Sequence, residues 1–265
     1  MLFLALCTRS MQLLALPTLL VLGPAPGPAA GAAASEPTIQ QSLAQGAAYQ
    51  ARFQREPAAA AYDRVLRVAP DNFEALWNRA VLTAQLALRQ PDQAARQTSF
   101  RQARALADRA LRLDSARHEA HYAVALVAGV AQMSGASHAE RLAAGRTVRW
   151  HAGRAVALNP RHAESWALLG GWHLGLANLS WAERMVAGPA AAGASNERAL
   201  HCCQQALRLQ PGNLKFYLLA ATACRHLDRP GEAQALLRRA LALPDLRPED
   251  PQVRQKCSAL LREVT

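Results

Sequence analysis

Lysine is nearly absent from this chain. Lys215 and Lys256 are the only two, so arginine supplies the other 28 of 30 cations. Aromatic residues make up only 5%, which leaves few large side chains to anchor a core. No run of four to eight alternating β-branched or aromatic residues occurs, so strands are not expected. There is no GxxxxGK or GxGxxG to cradle a phosphate, no HExxH and no CxxC, and no catalytic residue or cofactor is expected. His118 and His121 stand one helical turn apart, but no third metal ligand lies near them, so they are read as surface or groove histidines. The net charge is +11, yet no basic block of five or more residues and no base-stacking aromatic motif is found. The charge reads as arginine spread over solvated helix faces, and nucleic acid is not expected as a partner.

What the chain does have is alanine and recurrence. It is 51% apolar over 265 residues, enough for one domain or one continuous array. ALRLDS at 110–115, AVALNP at 155–160, ALRLQP at 206–211 and ALALP at 240–244 repeat one phrase. Its leading residues Val65, Ala110, Ala155, Ala206 and Ala240 are 45, 45, 51 and 34 residues apart. A small residue, an apolar step and then a turn former mark the end of a two-helix unit, and recurrence at this length means stacked units. The expected pairs are 38–54 with 57–68, 72–89 with 98–113, 118–133 with 139–158, 162–178 with 196–209, and 213–227 with 231–243. A last helix over 251–263, capped by Asp250 with Pro251 at its first position, is expected to close the array. The fold class is therefore all-α: a helical-repeat superhelix, an α-solenoid of about five helix pairs plus a C-terminal capping helix.

The first 34 residues differ from the rest. Arg9 is their only charge, Met11–Leu22 is a 12-residue apolar run, and Ala32-x-Ala34 precedes Ser35. That pattern is a signal peptide over 1–34 and implies an exported protein, periplasmic or extracellular. The alternatives are an uncleaved membrane anchor, with peripheral membrane contact, or an organelle transit segment. Residues 35–56 read as a linker and first helix, and 57–264 as the repeat domain. Cys202, Cys203, Cys224 and Cys257 are left after cleavage. Cys203 and Cys224 are expected to face each other, as buried thiols or, in an oxidising compartment, as a bridge.

The repeats resemble tetratricopeptide repeats, most closely at Tyr217, Ala220, Ala221, Ala233, Ala240 and Pro244. The segment 151–188 resembles the regulator of microtubule dynamics family, through Leu158, Asn159, Pro160, Gly170, Trp172, Leu179, Trp181, Glu183 and Arg184. The resemblance covers roughly 60–263 and marks the chain as an exported bacterial relative. It implies a helical-repeat fold without catalytic residues, and in eukaryotic members microtubule, membrane-contact and lipid-binding roles. Trp166 and Trp172 are expected in the core, and Trp181 as a plug at a helix-to-insert junction, with Glu183 pairing Arg184 or a neighbouring helix.

The family register turns Trp77, Val81, Tyr122, Leu126, Ala167 and Leu174 inward, with Lys215, Arg225 and His226 beyond them. An apolar groove with a basic mouth suits a scaffold for a protein or peptide partner. The alternative is a lipid-binding or lipid-transfer module for an anionic lipid.

Overall fold

The computed structural model describes residues 38–131 and 138–265; the expected signal over 1–34 lies outside them. The described residues hold twelve α-helices and no strand. These are α1 (Ile39–Ala51), α2 (Arg55–Val68), α3 (Phe73–Ala87), α4 (Gln93–Leu113), α5 (His118–Ala131), α6 (His138–Leu158), α7 (Ala163–Ala177), α8 (Trp181–Ala187), α9 (Asn196–Leu209), α10 (Leu214–His226), α11 (Pro230–Ala242) and α12 (Asp250–Glu263). A 3₁₀ turn at Gly188–Ala191 follows α8. No helix among the described residues is long and apolar enough to cross a membrane.

The starts of the helices are written in their capping residues. Thr38, Asn72, Asp92, Ser180, Ser195 and Asn213 each accept a backbone N–H from the first turn of the helix they precede. Asp92 explains why α4 begins five residues earlier than expected: its carboxylate takes the Ala95 N–H at 2.6 Å. The first break also falls elsewhere. Pro57 does not separate α1 from α2 but lies in the first turn of α2, where its missing N–H has no partner to lose. The chain turns instead at Arg52–Gln54, with Phe53 in the left-handed region at φ 56°.

Helices pair as α1/α2, α3/α4, α5/α6, α7/α9 and α10/α11, and the first helices α3, α5, α7 and α10 lie side by side in a row. α12 packs beside α10 and α11 and extends that row. The repeated phrase now has a physical meaning. Val65 is 1% exposed, and Ala110, Ala155, Ala206 and Ala240 are 0% exposed. At each unit the small side chain lets the second helix sit flush on its neighbours. The core is accordingly a chain of local clusters. One is centred on Tyr62 and Leu82, one on Tyr122 and Phe100, one on Ala167 and Phe216, and one on Tyr217, Leu237 and Cys257.

Gly170 shows how tight the α7–α9 crossing is. A methyl there would sit 2.9 Å from the Cys203 sulfur and 3.3 Å from the Ala199 carbonyl. Among the described residues, Cys202, Cys203, Cys224 and Cys257 are buried free thiols, and burial pushes the Cys202 thiol up to about 11.

Asp250 departs from its expected role. Its carboxylate does not cap α12. It is 1% exposed and accepts the N–H groups of Leu246 and Arg247 at 2.9 and 2.8 Å, which folds the 243–249 loop back onto the helix.

Candidate functional site

The row of first helices walls a channel of about 700 Å³. One side is apolar: Trp77 and Val81 from α3, Tyr122 and Leu126 from α5, and Ala167 and Leu168 from α7. These fall inward because each helix presents to the channel a stripe recurring every three to four residues. The Tyr122 ring meets the His162 ring edge-on at 4.7 Å. The Lys215 side chain stays exposed to the channel's solvent, while the protein around it pulls its ammonium pKa down.

The channel is closed on one side by a contact between the two ends of the array. Arg55, at the start of α2, donates from Nη2 to both carboxylate oxygens of Glu249, at 2.8 and 2.7 Å, across 194 positions of sequence. Its Nε donates to Gln85 at 2.9 Å. The Arg247 guanidinium lies 4.8 Å over the Phe53 ring and donates to the Gly212 carbonyl at 3.2 Å. Arg55 holds the Glu249 carboxyl below the usual carboxylate range, against the opposing effect of burial.

Three side chains on the channel walls carry a buried polar atom with no partner: Trp77 Nε1, Asn78 Oδ1 and Gln210 Oε1. Asn78 is 2% exposed and spends its amide on the Glu74 carbonyl at 2.9 Å, which leaves its oxygen. Gln210 donates to Glu164 at 2.7 Å, which fixes its amide the same way. A buried acceptor or donor left unpaired costs about 1–3 kcal/mol.

The sequence-derived groove residues are thus only partly brought together. Trp77, Val81, Tyr122, Leu126, Ala167 and Lys215 share the channel. Leu174 does not; it packs against the C-terminal core cluster. Arg225 and His226 also lie away from the channel. Arg225 is tied to Glu263 of α12 at 2.8 Å, with His226 beside it. The cations at the mouth are instead Arg55, Lys215 and Arg247. Arg55 and Arg247, like Asn78 and Gln210, carried no signal in their local sequence.

The family-pattern residues separate by role. Trp172 is 6% exposed, with the Arg149 guanidinium 5.2 Å over its ring. Trp166 is only partly buried and donates from Nε1 to the Pro160 carbonyl at 2.8 Å, so it ties a loop to a helix. Glu183 does not pair with Arg184. It completes a capping box with Ser180, accepting the Ser180 N–H at 2.9 Å, while Arg184 donates to the Ala177 carbonyl at the end of α7. The S-W-A-E-R phrase is therefore a helix stop joined to a helix start. Trp181 is not a plug: as the first residue of α8, a short helix of which only Ala187 is buried, it is 78% exposed. Trp181→Ala should leave stability within about 0.5 kcal/mol of wild type. Ser180→Ala should cost about 1 kcal/mol. Urea denaturation of the two variants checks the contrast.

Histidines gather beside the channel. His121 and His151 share a hydrogen bond between their Nδ1 atoms at 2.9 Å, and His118 bonds the Asn159 amide at 3.0 Å. Burial holds the His151 imidazole down to about 4, with His121 adding to the effect; burial does the same for His173, aided by Arg198 and Arg149. An unfolded histidine protonates near pH 6.5. Between that pH and about 4 the unfolded chain binds more protons, so stability is lost as pH falls through this window. Melting at pH 5 should come several degrees below melting at pH 7.5, and His151→Asn with His173→Asn should flatten the difference.

A second cavity of about 490 Å³ lies among α4, α5 and α6, over Phe100, Val124 and Val127. No orphaned buried side-chain atom lies on its walls among the described residues. The channel is the better candidate.

The family model described as Regulator of microtubule dynamics protein 1-3 matches residues 42–265. The regulator of microtubule dynamics protein 3 of Bos taurus is 32% identical over 114 residues, which are 42% of this chain and 24% of that protein. The similarity thus spans about a quarter of that relative's length. Among solved structures, a tetratricopeptide repeat protein of Thermus thermophilus superimposes with a TM-score of 0.58 at 17% identity, over 85% of this chain and 100% of that one. Another, from Parabacteroides merdae, gives 0.49 at 14% identity, over 83% and 71%. The fold is that of a helical-repeat scaffold, and with a family match running through all five helix pairs the chain belongs to the regulator of microtubule dynamics family.

Proposed function

We propose that this scaffold is a non-catalytic binding protein whose channel takes an extended peptide segment of a protein partner. The supporting observation is the set of orphaned atoms on the channel walls. Asn78 Oδ1 and Gln210 Oε1 want donors, and Trp77 Nε1 wants an acceptor. A peptide backbone supplies N–H and C=O groups alternately along its length; an acyl chain supplies neither. The apolar wall between them, with Val81, Tyr122 and Leu126, suits the side chains of such a segment.

Asn78→Leu provides the test. It removes an orphaned acceptor, so the fold should survive with its melting temperature intact. Dodecapeptides selected by phage display on the wild-type protein should bind the variant about tenfold more weakly, the worth of one buried hydrogen bond. Unchanged affinity would move the binding site out of the channel. A lipid mass carried by the gently purified protein, with no peptide selected, would overturn the reading in favour of lipid binding.

A further inference from the structure

The cations of the channel are not equally satisfied. Arg247 is spread over the Phe53 ring and bonded to Gly212. Arg55 is 13% exposed and bonded to Gln85 from Nε and to Glu249 from Nη2. Lys215 forms no ion pair within 4 Å among the described residues, although Glu249 lines the same channel and its charge opposes the fall in the lysine's pKa. An exposed ammonium that lines the channel without an ion-pair partner is open to an anion that enters there.

Glu249 is the anion that Arg55 does have, and its position is unusual. It stands at the N-cap of α12, where a side chain could accept that helix's free N–H groups, yet it makes no such bond. Its carboxylate reaches across the channel to Arg55 instead, while remaining 39% exposed. A Glu249 released from Arg55 has somewhere to go: the positive end of α12, which favours a carboxylate. Phe53, under Arg247 at this end of the channel, is the left-handed residue that ends α1, with its N–H on the Gln50 carbonyl and the Gln54 N–H on the Tyr49 carbonyl.

We propose that the Arg55–Lys215 end of the channel is a subsite for an acidic side chain of the bound peptide, and that Glu249 fills it in the free protein as an internal competitor. This rests on the peptide reading of the channel and adds the charge that the peptide carries. An incoming glutamate or aspartate takes Arg55 from one side and Lys215 from the other. Glu249 turns back to α12, and the contact between the two ends of the array opens to admit the segment.

The test uses the full chain and two fluorescein-labelled dodecapeptides, identical except that one carries glutamates where the other carries glutamines. Fluorescence anisotropy should show the glutamate peptide binding wild type about fivefold tighter, the scale of one partly exposed charge pair. Glu249→Gln should tighten the glutamate peptide about threefold and leave the glutamine peptide unchanged, because only the charged peptide competed with Glu249. Lys215→Met should erase the preference. Arg208→Gln removes the same charge from an exposed site on α9 outside the channel and should keep the preference, which separates the subsite from the general +11 charge. A preference that persists in Lys215→Met, or a Glu249→Gln variant that gains nothing, overturns this inference while leaving the peptide channel standing. If neither peptide binds and phosphatidylserine vesicles do, with binding lost in Lys215→Met, the anion is a lipid headgroup and both readings fall.

Discussion

A chain ended after Glu249 should associate in solution and melt far below the full-length protein. α12 lays Val253, Cys257 and Leu260, at 9%, 0% and 7% exposure, against the cluster of Tyr217, Leu237 and Cys224. Each such side chain is worth about 1.5–3 kcal/mol when buried, so the helix contributes a large share of a typical domain's stability of about 5–15 kcal/mol. Polar ties go with it. Arg254 donates to the Leu241 carbonyl at 2.7 Å and to Asp245 at 2.6 Å, closing the end of α11. Gln234 reaches the Val264 carbonyl at 2.7 Å, and Arg225 loses Glu263. Among the described residues nothing else covers the apolar face left bare on α10 and α11, and repeat arrays need a wet-sided end to remain soluble. Sedimentation velocity and thermal denaturation of the truncated chain provide the check. A drop of roughly 10–20 °C is expected for losses of this size. A monomer with unchanged melting would show that α12 is not a cap.

The second large effect lies at the other end. Tyr62 is wholly buried between α1 and α2, its hydroxyl donating to Gln50 at 2.7 Å, and burial raises its phenol pKa. Its ring lies against Gly46, where an added methyl would come 2.6–3.0 Å from three ring carbons. Tyr62→Ala should cost about 3–5 kcal/mol. Gly46→Ala should cost about 1–3 kcal/mol through overpacking, despite alanine's better helix propensity. Combined, the two should not add. With the ring gone, the methyl enters free space and the helix gains alanine, so Gly46→Ala in the Tyr62→Ala background should be neutral or stabilising. A double-mutant cycle in urea measures this coupling directly. Equal costs in both backgrounds would show that the ring is not what excludes a side chain at position 46.

The fold was largely legible because it is written in local, repeated signals. The alanine phrases marked the second helices, whereas the cap at Asp92, which starts α4 five residues earlier than expected, was not read from the sequence. The family resemblance, expected from about residue 60, in fact begins at residue 42, within α1. The site was legible only where one helix decides the outcome. Trp77 and Val81 lie four apart on α3, as do Tyr122 and Leu126 on α5, so a register set by pattern turns both pairs the same way. The same register misplaced Arg225. It lies ten residues beyond Lys215, which puts it about 15 Å further along α10 and some 80° around it. Leu174 shares a face with Ala167 but sits about 10 Å further down α7, past the channel's end. Arg55 and Glu249 were beyond reach for another reason. Nothing in either local sequence announces a partner 194 residues away. Trp181 misled because a large aromatic suggests burial, whereas it begins a capped seven-residue helix of which only Ala187 is buried.

That long-range pair changes where the protein is weakest. A row of helix pairs held only by neighbours frays from its termini inward. Here the start of α2 and the loop before α12 hold each other, so the first pair and that last loop cannot part without breaking this contact. The soft point then moves to the middle of the chain. It falls at α8, which buries only Ala187 and leaves Trp181, Met185 and Val186 in solvent. Among the described residues a protease probing the folded molecule would find its first cut there, and the two fragments would stay joined by the packing of α7 on α9 and tied at their far ends by the ion pair.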